Sequence, residues 1–87
     1  MDTFTTIQRL IADQLDIPSE MLMRARTLDE AGIDSLATLD LVTTLEGRFS
    51  ISIAPDDLES VASLRDLAAV VDRLVMRKTH AYEEALA

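Results

Sequence analysis

The sequence predicts an all-α domain, a small bundle of three main helices and one short helix with a long first loop. Apolar residues recur three and four apart in three separate stretches, the period of a helix with one buried face. Two glycines and two prolines leave little room for β-turns, while Leu and Ala dominate the periodic segments. Only Phe4, Phe49 and Tyr82 are aromatic, so the core is aliphatic. A chain of 87 residues suffices for one core of this kind.

Residues 3–15 read as the first helix, with Phe4, Ile7, Ile11 and Leu15 inward and Leu10 widening the stripe. Pro18 stops it, because the proline ring excludes the helical conformation at Ile17. Residues 16–34 form a connection longer than most in a compact domain. Ile17, Met21, Leu22 and Leu28 are its expected anchors, and Arg24 and Arg26 are read as solvated. Thr27-Leu-Asp-Glu30 has capping-box spacing and suits a single turn ended by Gly32.

The second main helix is expected from Ser35 to Arg48, opened by Asp34 as its N-cap. Leu41, Val42, Leu45 and Phe49 should face the core. Leu36 and Leu39 share a side with Asp40, Thr43 and Glu46, and spacing alone leaves them between core and surface. Ser50–Ala54 alternates like a strand but has no partner strand, so it reads as an extended linker. Pro55 suits the first turn of a short helix over Asp56–Val61. Ser63-Leu-Arg-Asp66 opens a last helix with Leu64, Leu67, Ala68, Val71, Leu74 and Val75 inward. Residues 1–76 make the single domain, and 77–87 either prolong its last helix or fray. His80, the one histidine, stands alone in that tail.

These stretches converge on Ser35, a hydroxyl at the mouth of a capped helix, where unpaired amides and the helix dipole favour a phosphate. Asp34-Ser35-Leu36 at the head of an amphipathic helix resembles the attachment motif of acyl carrier proteins. The resemblance extends to Leu28-Asp-Glu-Ala-Gly-Ile33 before it, and to Leu39-Asp-Leu-Val42 and Leu45-Glu-x-x-Phe49 behind it. It continues through Ile53-Ala-Pro-Asp-Asp57 and Ser63-Leu-Arg-Asp-Leu67, covering roughly residues 4–75. It implies the same helical fold and a covalent 4′-phosphopantetheine arm on Ser35, donated by coenzyme A, whose thiol holds an acyl group as a thioester. Asp34 then serves as cap and as a recognition residue for the phosphopantetheinyl transferase. Leu36, Leu39, Asp40, Thr43, Glu46, Ile53 and Asp56 form the implied docking surface, which favours partial exposure of Leu36 and Leu39. Its partners are acyl-loading, condensing or acyltransferase enzymes with basic docking patches. An acyl chain folding back would meet Leu28, Leu45, Ile53, Leu58, Val61 and Leu67, residues that ordinary core packing explains equally well.

Intrinsic catalysis is not expected. A serine nucleophile needs a base in reach, and the lone His80 lies in the tail while Ser35 lacks a Gly-x-Ser-x-Gly elbow. Asp56 and Asp57 are adjacent, so they diverge rather than flank a substrate. Without cysteine there is no disulfide or thiolate metal site, and Asp29, Glu30 and Asp34 lack the spacing of a calcium loop. Divalent ions are expected to meet the acidic face only incidentally. With no signal-peptide or membrane-length stretch, the chain reads as cytoplasmic and monomeric.

The net charge of −8 is concentrated. Between Leu28 and Ser60, eight acids (Asp29, Glu30, Asp34, Asp40, Glu46, Asp56, Asp57, Glu59) face one base, Arg48. Such a patch attracts basic partners and repels nucleic acid and anionic membranes. Common fatty-acid-synthesis carriers have an acid where this chain has Ala37, and several acids where it has Glu46-Gly47-Arg48. That departure points to a dedicated fatty-acid, lipid or polyketide enzyme set. Two alternatives remain open: an aminoacyl or peptidyl carrier, and an unmodified acidic interaction domain.

Overall fold

The computed structural model describes residues 2–86, with side chains from Asp2 to His80. Its helices are α1 (Thr3–Leu15), α2 (Ser19–Arg24), α3 (Ser35–Phe49), α4 (Pro55–Leu58) and α5 (Leu64–Leu86). No strand occurs among the described residues, as the all-α expectation requires. Helix α1 packs on α2, α3 and α5, while α4 packs on α5.

Ile7, Ile11, Leu41, Val42, Leu45, Leu67, Val71 and Leu74 form the centre of one buried cluster. Around it pack Phe4, Leu10, Leu15, Phe49, Leu64 and Val75, each half-buried. Val70 is buried as well, an inward position beyond those expected of the last helix.

Two of the long helices end by the same device. Asp16 and Ser50 adopt left-handed φ values of 54°. Ile17 N–H then donates to Ala12 O at 3.1 Å, and Ile51 N–H to Glu46 O at 3.2 Å. This is the six-to-one bond of a Schellman stop, with Ile17 and Ile51 turned back onto the core. Pro18 therefore lies beyond a stop already made, and its carbonyl instead opens α2 by accepting from Met21 and Leu22 N–H.

Helix α2 is absent from the sequence expectation. It has six residues and one buried side chain, Leu22, too little for an apolar period to register. Met21, expected as an anchor, points outward; Ile17, Leu22 and Leu28 do the anchoring. The short fourth element also differs, since α4 ends at Leu58 rather than Val61.

Helix α5 opens with a reciprocal box. Asp66 Oδ2 accepts from Ala62 and Ser63 N–H at 3.0 and 3.1 Å, and Ser63 Oγ accepts from Asp66 N–H at 3.1 Å. From Met76 to His80 its side chains are exposed. Across the bundle, the Thr3 hydroxyl donates to Asp72, and the Arg65 guanidinium sits 4.8 Å from the Phe4 ring centroid.

The two amide donors from Ala62 and Ser63 hold the Asp66 carboxyl below its ordinary pKa. Its contribution is complete above the unfolded carboxylate value and is lost as pH falls through the folded one. Melting temperature should therefore drop more steeply on acidification in the wild type than in Asp66→Asn. Parallel pH profiles of the two proteins would contradict that assignment.

Candidate functional site

The segment before α3 is held from both sides. Leu28 N–H donates to Ala62 O at 2.9 Å, tying the loop to the entry of α5. Thr27 Oγ1 accepts from Glu30 N–H at 3.1 Å, and Glu30 Oε2 accepts from Arg26 N–H at 2.7 Å. The expected capping pattern thus exists, with its return bond one residue earlier than a standard box places it. Ala31 and Gly32 N–H close the turn onto Leu28 and Asp29 carbonyls. Gly32 then takes φ +83°, a conformation glycine adopts without penalty. Ile33 follows, buried and bonded through its N–H to Leu28 O at 3.0 Å.

With Ile33 inward, Asp34 and Ser35 must face solvent. Asp34 has extended φ/ψ, and its Oδ1 accepts from Ala37 N–H at 2.8 Å. Its carbonyl accepts both from Thr38 N–H and from the Thr38 hydroxyl. Ser35 is the first helical residue and is exposed. An exposed primary hydroxyl on a rigid helix start suits an attached phosphodiester, because no packing must be undone to accommodate it.

Beside Ser35 lies a groove of about 510 Å³. Leu28, Ile33, Leu39, Leu58 and Val61 supply apolar walls, and Asp34, Ser35 and Thr38 form its rim on α3. Of the six residues expected along an acyl path, Leu28, Leu58 and Val61 line this groove. Leu45 on α3, Ile53 on the linker and Leu67 on α5 do not; they are enclosed in the core.

The outer face of α3 resolves the ambiguity left by spacing. Leu36 and Leu39 are 75% and 60% exposed, and Asp40 and Thr43 lie beside them in solvent. Asp56, on α4, is also exposed. Two expected docking residues are placed differently. Ile53 is only 8% exposed, so it is a core residue and offers no contact surface. Glu46 is half-buried, and its Oε2 accepts from Ile53 N–H at 2.9 Å. That bond fixes the linker against α3, a role the sequence offered no signal for. Asp57 is likewise committed, to Ala54 N–H at 2.9 Å and to Arg73 at 2.9 Å. Among the described residues, no three His, Asp or Glu side chains gather as a metal site. No described helix is long and apolar enough to cross a membrane.

A family profile described as a phosphopantetheine attachment site matches residues 5–71. The chain belongs to this family of phosphopantetheine-bearing carriers, which are substrates of their partner enzymes and not catalysts. It is similar to the acyl carrier protein of Helicobacter hepaticus, with 30% identity over 73 residues, covering 83% of this chain and 96% of that protein. It is also similar to the acyl carrier protein of Campylobacter jejuni subsp. doylei, with 29% identity over 75 residues, 85% of this chain and 97% of the relative. The family's prosthetic group is a covalent 4′-phosphopantetheine, attached by a phosphopantetheinyl transferase and met by acyl-handling enzymes.

The cap is testable without any partner. Asp34→Ala should cost about 0.5–2 kcal/mol in a denaturant titration, whereas Asp34→Asn should retain most of the stability. Equal losses in both variants would mean that the Ala37 amide is not what Asp34 stabilises.

Proposed function

We propose that Ser35 carries the 4′-phosphopantetheine and that this chain is an acyl carrier for a dedicated fatty-acid, lipid or polyketide enzyme set. The observation that carries the reading is the exposed Ser35 hydroxyl at the first position of a helix already capped by Asp34. On transfer from coenzyme A, Ser35 Oγ bonds to phosphorus as the phosphoanhydride bond to the adenosine bisphosphate half breaks. The serine proton passes to a base of the transferase, since no histidine stands near Ser35 among the described residues. When bound, the group supplies a thiol that holds the acyl chain as a thioester.

The protein's own residues orient and shelter. The amides left unpaired at the start of α3 would favour a phosphodiester there, and Asp34 keeps the helix start intact while marking it for the transferase. The groove of Leu28, Ile33, Leu39, Leu58 and Val61 shelters the first part of an acyl chain, each methylene gaining up to about 0.8 kcal/mol. Docking falls to Leu36, Leu39, Asp40 and Thr43, with Asp56 at the edge. Ala37, Gly47 and Arg48 leave α3 less acidic than the resemblance leads one to expect, which supports partners other than the housekeeping synthase. The reading places the chain in the cytoplasm, where coenzyme A is available, and takes it as a monomer.

Incubation with coenzyme A and a broad-specificity transferase should add one phosphopantetheine to the wild type, seen by intact mass, and none to Ser35→Ala. Modification at another serine, or none with several transferases, would reject Ser35.

Docking separates into charge and contact. Asp40→Lys should slow acyl loading, the deficit shrinking as salt screens the reversed charge. Leu39→Ala should slow loading with little salt dependence, and neither variant should shift folding by more than about 0.5 kcal/mol. Normal loading of Asp40→Lys at low salt would remove α3 as the docking face.

A further inference from the structure

A second groove, of about 410 Å³, lies away from the α3 face, between α1, α2 and the start of α5. Phe4, Leu22 and Leu64 contribute its apolar wall, with Met23, Arg26 and Arg65 around the opening. It shares no lining residue with the groove beside Ser35.

Three observations set this patch apart. Met23 is 73% exposed at the end of a six-residue helix, where a long apolar side chain gains nothing from folding. Arg26 and Arg65 are both exposed and no carboxylate lines the groove, although the chain as a whole carries −8. The Arg65 guanidinium is held over Phe4, which presents its N–H groups at a fixed place. Two acids stand near these arginines, and both are engaged by backbone: Glu30 Oε2 accepts from Arg26 N–H at 2.7 Å, and Asp2 accepts first from the Thr5 amide as the cap of α1.

We propose that this groove is a second docking surface, one that takes an acidic, apolar-bearing segment of a partner protein. Arginine recognises carboxylate in a planar, directional way, and methionine and arginine are the residue types that interfaces favour. Methionine also repacks around differently shaped apolar side chains. The overall charge decides which anion fits. A nucleic acid or an anionic bilayer presents a broad negative surface that the acidic face of residues 28–60 repels. A short acidic segment can reach the two exposed guanidinium groups by direct contact, while most of the acidic face lies beyond a Debye length of about 8 Å. A partner can thus hold the chain here while α3 stays free, which raises the effective concentration of α3 for whatever it meets. The inference does not depend on Ser35 being modified.

The chain has four methionines, so methyl-labelled methionine reports the groove directly in NMR. Met76, exposed elsewhere on α5, is an internal control. The probe is a blocked peptide of glutamate, leucine and phenylalanine, with a matched peptide carrying glutamine for glutamate. The Met23 methyl should shift saturably with the acidic peptide at concentrations up to about 1 mM while Met76 stays still. The glutamine peptide should bind more weakly, and Arg26→Glu should weaken acidic-peptide binding about tenfold or more. Arg26 is used because its side chain is exposed, and Arg65→Gln tests the second cation while keeping a planar group over Phe4. The proposal is overturned if Met23 is unmoved, if Arg26→Glu binds equally well, or if both peptides bind alike. It is also overturned if Met23 shifts on simple dilution, meaning that a second copy covers the groove. Cosedimentation of the chain with phosphatidylserine vesicles would assign the groove to a lipid surface instead.

Discussion

The site depends on burying Ile33. Between the left-handed Gly32 and the first turn of α3 there is one residue that the core accepts, and its inward direction sets that of its successors. If Ile33 points in, Asp34 is placed to cap the helix and Ser35 emerges on the solvent side. The turn that delivers Ile33 is closed by short-range bonds from Thr27 to Gly32 and tied to α5 through Leu28 and Ala62. Serine accessibility is thus a consequence of core packing several residues upstream. Little in the immediate neighbourhood of Ser35 needs to be specialised for it.

The acidic residues divide into two populations that sequence cannot separate. Glu30, Glu46, Asp57 and Asp66 each accept from a backbone amide near a helix end or linker. These carboxylates satisfy donors that irregular backbone leaves unpaired, and their charge is secondary. Asp40 and Asp56 carry no such bond among the described residues, so their charge is available to a partner. The eight acids between Leu28 and Ser60 all contribute to the field a docking enzyme meets, Asp57 offset by Arg73, but those held by backbone amides are not free to form new contacts. Asp34 belongs to both groups, one oxygen bonded to Ala37 and the residue itself exposed.

Long elements were legible because their signals repeat. Helix α1 matches its expected bounds, and α3 exceeds them by only one residue, because each carries several apolar residues at helical spacing and a side-chain cap. Asp34 and Ser35 could be placed at a helix start for the same reason. Helix α2 could not be read, because one buried leucine carries no period and its opening relies on the Pro18 carbonyl, which every residue possesses. Ile53 carried two expectations, docking by the resemblance and packing against the core, and its burial agrees with the second; an alternating segment gives the same pattern whichever side meets the core. The deciding contact, Glu46 with its amide, spans seven residues and has no local signature.

That contact also bears on how the two sides of α3 are kept apart. A helix with Leu36, Leu39, Leu41, Val42 and Leu45 has more apolar residues than one face can bury, and rotation about its axis could exchange which of them are covered. Two local constraints oppose such rotation. At the first turn, Ile33 and the Asp34 cap fix the entry. At the last turn, Glu46 holds Ile53 while Glu46 O receives the Ile51 amide, fixing the exit. With both ends held, Leu41, Val42 and Leu45 occupy the core, and the hydrophobic cost of exposing Leu36 and Leu39 cannot be relieved within the fold. An apolar surface that folding leaves uncovered is available to a partner.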